Sequence, residues 1–186
     1  MEIFEGVPFT DIYVTREGLC RYTDYSGRPR EDYGFSGKDG YRTIKHKSGK
    51  FYSIHRLVGR VFVPNECPSY FTTIHHKDHN RSNNHFENLE WVRRQINASL
   101  RKNVALVKKT KGGYYKVKFR FDNKVYQRPR IFKNYQQCLE EAKRYKDQLI
   151  TEKKNFLIEC ERNGDDPNKG KCCCKCGQLL PKLFSN

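Results

Sequence analysis

Residues 72–92, TTIHHKDHNRSNNHFENLEWV, hold His75, His76, His79 and His85 among Asn80, Asn83, Asn84 and Asn88. Imidazole has an unperturbed pKa near neutrality, so it can take a proton from water at physiological pH, and it also ligates divalent metals. An Asn carbonyl can complete such a ligand set or bond the backbone of its own turn. Phosphodiester hydrolysis needs a base for water, a cation for the charge developing on phosphate and leaving oxygen, and something to hold both in place.

For these side chains to meet, the chain must fold back on itself. TTIHH reads as one strand, LEWV as its antiparallel partner, and RRQINASLRKN as a helix over 93–102. The intervening loop is then about a dozen residues, long for a hairpin without a task. This geometry would let His75, His76 and Asn97 converge. Successive strand residues point to opposite faces, so His75 and His76 share a site only where the strand ends or twists. Asn80, Asn83 and Asn84 read as turn residues bonding their own backbone. Trp91 reads as core filling, His85 as exposed and His55 as a buttress.

The rest of the chain frames that loop. A formal charge of +16 over 186 residues points to a polyanionic partner. Between Glu90 and Asp122 there are ten Lys and Arg and no acidic residue, a one-signed run that suits phosphate backbone. An apolar fraction of 36% and a mean hydropathy of −0.93 fit small modules with modest cores. No apolar run approaches the roughly 20 residues of a membrane span. MEIFEGVPFT has neither a basic leader nor an apolar core, so an intracellular protein with thiol or metal-bound Cys is expected.

The expected fold class is α+β, in four segments: a β-hairpin-rich region at 1–40, a segment holding the His- and Asn-rich loop at 41–103, a basic sheet with one helix at 104–156, and a loose Cys-rich tail at 157–186. Residues 10–23 read as two short strands around Glu17-Gly18, followed by a Gly-rich irregular stretch. YRTIKHKSGKFYSI reads as a hairpin around Ser48-Gly49, and HRLVGRVFV as a helix ended by Pro64. VALVKK, YYKVKFRF and KVYQRPRIF read as three strands, and Asn134 with Gln137 opens an amphipathic helix. Alternation puts Tyr115, Val117, Phe119 and Phe121 on a buried face and Lys116, Lys118 and Arg120 on the other, which Arg128 and Arg130 would extend.

HHKDHNRSNNHFENLEWVRRQIN resembles the H-N-H endonuclease family, especially its phage and intron-encoded homing type, and HRLVGRVFVPN resembles the segment before that motif. The resemblance covers about residues 41–98. It implies a ββα-metal core that cuts DNA with a divalent ion, Mg²⁺ or Mn²⁺ foremost, Ni²⁺ and Zn²⁺ being admitted by an imidazole ligand. His76 and Asn88 fall on the catalytic positions, the general base and the middle Asn that ties the loop together. Asn97 matches the helix metal ligand. His75 stands where homing-type members usually carry Asp as a ligand, a His-His pair similar to the nuclease colicins. His79 replaces a usual Gly.

KGGYYKVKFRFDNKVYQRPRIFKNYQQCLEEAKRY resembles the APETALA-type (ethylene-response-factor) DNA-binding domain, which implies that the basic sheet meets double-stranded DNA. Arg93, Arg94, Arg101, Lys102, Lys116, Lys118, Arg120, Arg128 and Arg130 are the candidate contacts. Cys173 and Cys176 form half of a zinc-ribbon pattern, with Cys160 a further thiol for a zinc site, although a thiol-rich tail is the default. Two other classes remain open: a DNA-binding regulator that cuts nothing, and an RNA-binding or RNA-processing protein. The oligomeric state is open too, a monomer included.

Overall fold

The computed structural model describes residues 3–100, 106–121 and 124–167. It is a mixed α/β protein built from several small antiparallel sheets. The chain divides into two compact units, Met1–Asn65 with Thr72–Arg93, and Glu66–Phe71 with Arg94–Asn186.

The first unit starts with a four-stranded meander, β1 (Glu5–Gly6), β2 (Tyr13–Val14), β3 (Cys20–Thr23) and β4 (Pro29–Asp32). A three-stranded sheet follows, β5 (Phe35–Ser36), β6 (Arg42–Lys45) and β7 (Phe51–Ser53). The stretch expected to be irregular therefore contributes β4 and β5. Its glycines mark turns rather than disorder: Gly27 and Gly34 adopt φ of +77° and +61°. A side chain on Gly34 would meet the Thr43 carbonyl oxygen. The charged residues of Pro29–Asp32 hide a strand from hydrophobic periodicity, and this strand is an outer one, where Pro is tolerated.

Helix α1 (Ile54–Phe62) leaves β7 directly and buries Ile54, His55, Leu57, Val58 and Gly59. It stops where Val63, ahead of Pro64, turns extended. Gly59 brings α1 down on the hairpin of β8 (Thr73–His76) and β9 (Leu89–Val92), since a Cβ there would stand 2.5 Å from Ile74 Cδ1. Trp91 Nε1 donates to the Gly59 and Val63 carbonyls at 3.1 Å each, so it fills the space against α1 and satisfies the end of that helix. Val14, Cys20, Ile44, Ile54, Leu57, Val58, Ile74 and Leu89 belong to the shared core.

In the second unit, α2 (Arg94–Ser99) is shorter than the expected helix, though 101–105 lie outside the described residues. Strands β10 (Val107–Lys109), β11 (Tyr115–Phe121) and β12 (Lys124–Phe132) form an antiparallel sheet, against which α3 (Tyr135–Asn163) packs Cys138, Ala142, Leu149 and Ile150. Asn134 caps α3 by accepting from Gln136 and Gln137 N at 2.7 and 3.2 Å. The helix continues past residue 157, where the sequence suggests a loose tail. Leu157 and Cys160 are buried, and Cys67 Sγ and Ser69 Oγ reach Leu157 O and Glu161 Oε1 at 3.3 and 2.9 Å. This support comes from about 90 positions earlier in the chain, too far to be read locally. Gly164, with φ +70°, closes the helix. Among the described residues, no helix is long and apolar enough to cross a membrane.

Candidate active site

β8 and β9 pair in register, Ile74 with Trp91, His75 with Glu90 and His76 with Leu89. Alternation turns His76 to the side of Ile74 and α1 and gives His75 the opposite side. The His76 ring is buried, 5.2 Å from His55 and 5.8 Å from Tyr41, and those two lie 4.8 Å apart. Its Nε2 is 3.1 Å from Asn84 Oδ1. With an amide oxygen as acceptor, Nε2 carries the proton and Nδ1 keeps its lone pair. Burial pushes the His76 pKa down, and the Asn84 bond and the Asp78 charge only partly offset this, so the ring is neutral near pH 7. His55 is pushed down to about 3, first by burial and then by the charges of His76 and Arg56.

Asn84 was expected to bond its own backbone; instead it is buried against the His76 ring. Gly18, at φ +90°, permits this, because its missing side chain leaves room 3.1 Å from Asn84 Cβ. Asn80 and Asn83 do behave as turn residues, their Oδ1 atoms accepting from Ser82 N and His85 N. Asn88 exchanges two bonds with Asp78: its Oδ1 accepts from Asp78 N at 3.1 Å, and its Nδ2 donates to Asp78 Oδ1 at 3.0 Å. The same Nδ2 also donates to Asn83 O at 2.9 Å. Burial works against the Asp78 carboxylate, but bonds from Asn83, Asn80 N and Asn88 outweigh it and hold its pKa below the usual value. The loop tip rests on the turn before β6, where Arg81 Nη1 donates to Asp39 O at 2.5 Å and its guanidinium covers Tyr41. Thus polar bonds order residues 78–84 of the long loop, and Phe86 anchors its end against the core.

His75 is buried, with its ring 5.3 Å from that of His79. His79 takes φ +63°, the left-handed conformation in which Gly is at ease, so the loop keeps that backbone without a Gly. Asn97 is half-buried on α2 and belongs to the second unit. No group of three or more His, Cys, Asp or Glu able to hold a metal occurs among the described residues. His85 is half-exposed, 3.8 Å from Glu87.

On the sheet of the second unit, Val117, Phe119 and Phe121 are buried, Lys116 and Lys118 half-buried, and Arg120 exposed. Lys116 stands between Lys108 and Ile131, Lys118 beside Gln127 and Arg120 beside Val125. Arg128 departs from the expected face. Its guanidinium lies 3.9 Å over the ring of Tyr145 on α3, and its Nε is buried without a hydrogen-bond partner. Parity explains the difference, since Arg128 is two residues from the buried Tyr126. Pro129 and Arg130 then fall in a register shift that re-aims the strand, with Arg130 exposed 5.1 Å over Phe132. Arg93 is half-buried and Arg94 exposed. Cys160 is buried in α3, whereas Arg101, Lys102, Cys173 and Cys176 lie outside the described residues.

Residues 52–99 match the family model of HNH endonucleases. An uncharacterized HNH endonuclease of Acanthamoeba polyphaga mimivirus is 41% identical over 68 residues, 35% of this chain and 20% of that protein. The DNA endonuclease I-HmuI of Bacillus phage SP01 is 42% identical over 65 residues, 32% of this chain and 35% of that protein. The chain thus spans about a fifth and a third of these relatives' lengths. A solved structure of DNA binding and cleavage by the HNH homing endonuclease I-HmuI aligns at 31% identity over 52% of this chain and 55% of that one, with a TM-score of 0.39.

Proposed function

We propose that the protein is a metal-dependent DNA endonuclease of the homing type, acting inside a cell on a specific duplex site. The observation that carries this reading is the neutral, buried His76 with Nε2 held by Asn84, inside the segment that matches the HNH endonucleases. Nδ1 of His76 takes the proton from the attacking water. The Asp78–Asn88 exchange fixes the loop around it, which is the role we assign to Asn88. The ends produced are a 5′-phosphate and a 3′-hydroxyl.

By the family resemblance, His75 and Asn97 are each assigned as candidate donors to a divalent ion. An imidazole nitrogen and an amide oxygen are neutral donors that suit Mn²⁺, Ni²⁺ or Zn²⁺ as well as Mg²⁺. Bound there, the ion would stabilise the charge developing on the leaving oxygen. Lys116, Lys118 and Arg120 on one face of β11, as in an APETALA-like module, hold the duplex backbone, and Arg93, Arg94, Arg101 and Lys102 add to this grip. Arg130 remains a candidate contact, while Arg128 supports the sheet through Tyr145.

The test incubates plasmid and structured RNA with Mg²⁺ or Mn²⁺, with and without chelator. Cutting of plasmid alone, abolished by chelator, is the expected outcome. Cutting of RNA alone, or of neither, overturns the reading.

A further inference from the structure

Two tight turns of the first unit are fixed by side-chain bonds next to a strip of exposed rings. At Asp24-Tyr25-Ser26-Gly27, Asp24 Oδ1 accepts from Ser26 N and Arg28 N at 2.8 and 3.0 Å, and Gly27 supplies φ +77°. At His46–Gly49, His46 Nδ1 pairs with Ser48 Oγ at 2.9 Å, and Gly49 supplies φ +78°. An Asp24–His46 bridge and a 2.9 Å bond from Lys47 N to Thr23 O tie the two turns together. Tyr25, Phe51 and Phe35 are consequently side by side, yet 63, 60 and 48% exposed. The Lys45 ammonium lies 3.9 Å from the Tyr25 ring centre and 5.6 Å from that of Phe51, and the Phe51 and Phe35 rings meet edge to face at 6.2 Å. Lys45 pairs with no carboxylate among the described residues. Beside the strip opens a cleft of about 400 Å³, walled by Tyr22, Tyr25 and Phe35, with Asp32 as acceptor and Arg30 and Lys45 as donors.

Contiguous exposed rings forgo burial that would stabilise the fold, so their arrangement calls for a ligand. The Tyr25 ring, the Lys45 ammonium and the Phe51 ring match the order of base, phosphate and base along a nucleic-acid strand, and Phe35 offers a face for a further base. The net charge of +16 favours such a polyanion. In a duplex the flat faces of the bases are stacked inside, so rings can engage them only in an unpaired strand. We propose that the Tyr25–Lys45–Phe51–Phe35 strip, with its adjoining cleft, binds single-stranded DNA by base stacking. This inference rests on nucleic acid as the protein's partner, not on cleavage.

Titrating the full chain against an oligothymidylate of about 16 nucleotides, an oligouridylate of equal length and a hairpin duplex tests it. Tyr25→Leu with Phe51→Leu keeps apolar volume but removes the flat faces. Oligothymidylate affinity should fall roughly 5- to 150-fold per ring, with duplex affinity within about twofold of the parent. Lys45→Ala, a change at a half-buried residue that spares the rings themselves, should flatten the oligothymidylate salt slope by about 0.7. Equal losses on single strand and duplex, no loss on either, or binding restricted to oligouridylate would overturn the proposal. Plasmid cutting by the same parent preparation keeps the two readings apart: a parent that binds oligothymidylate but cuts nothing leaves this inference standing and removes the nuclease.

Discussion

The 77–88 loop and the β10–β12 sheet reach order by opposite routes. In the loop, side chains replace a core: Asp78 alone receives bonds from Asn80 N, Asn83 Nδ2 and Asn88 Nδ2. In the sheet, alternation buries Val117, Phe119 and Phe121 beneath α3 and turns Lys116, Lys118 and Arg120 to the other face. A loop ordered by particular donors and acceptors ties each residue type to its position, so substitution there is felt at once. A sheet ordered by apolar period constrains only every second residue, which leaves its outer face available for a partner. On the proposed function, the loop would carry the chemistry and the sheet the affinity.

The largest effect that could break this division is at His76. His76→Ala should lower plasmid cutting by on the order of 10²–10⁴, as losing a general base does, with duplex affinity nearly unchanged. A variant cutting within a few fold of the parent, at equal folding, would remove the chemical role from the loop. The complementary change is Lys116→Ala with Lys118→Ala and Arg120→Ala. Three lost phosphate contacts should flatten the slope of log affinity against log salt by about 2 to 3 units on duplex DNA. An unchanged slope with unchanged site preference would mean that this face does not meet DNA.

The same contrast explains what could be read from the sequence alone. The hairpin, α1 with its Pro64 stop, the three basic strands and the Asn134 cap all rest on local signals, and each is present. Asn84 is different. Its partner His76 is eight residues away across a loop with no period, so residue type alone suggested an ordinary turn. Tyr41 and His55 reach the site from other elements, and only the packing of α1 brings them there. Arg128 was legible but misjudged: counting from Tyr126 rather than extending the β11 face puts it toward α3. The seating of Cys67 and Ser69 on the end of α3 joins distant positions and had no sequence signal.

A smaller effect sharpens the account of how His76 is kept neutral. His55 has a folded pKa of about 3 against 6.5 for the free side chain, burial being the leading cause. Between those values the unfolded chain binds the extra proton, so stability is intact above about pH 6.5 and falls as the pH drops. The slope from this group is about 1.4 kcal/mol per pH unit. His55→Phe keeps a flat ring against Tyr41 and His76 and should remove about 1 kcal/mol of the loss between pH 6.5 and 5.5, read from urea midpoints. An equal pH dependence in parent and variant would show that His55 is not held neutral.

The smallest expected effect tests whether the loop's polar bonds truly dictate its backbone. His79 sits at φ +63°, a conformation costing a residue with a side chain roughly 1 kcal/mol or more. His79→Gly removes that strain but adds freedom to the unfolded chain, worth about 0.4–1 kcal/mol the other way. It also gives up the ring contact with His75. These terms nearly cancel, so thermal unfolding should move by about 1 kcal/mol at most. His79→Val faces the same bonds with a β-branched side chain that the left-handed region rejects, and it should lose about 1–3 kcal/mol relative to the Gly variant. The bonds that set this φ are His79 N to His76 O at 3.0 Å and Asn80 N to Asp78 Oδ1 at 2.7 Å, and neither uses the side chain at 79. Equal stabilities for the Gly and Val variants would mean that the loop relaxes its backbone to suit the residue, and rigid positioning of His76 by the loop would have to be given up.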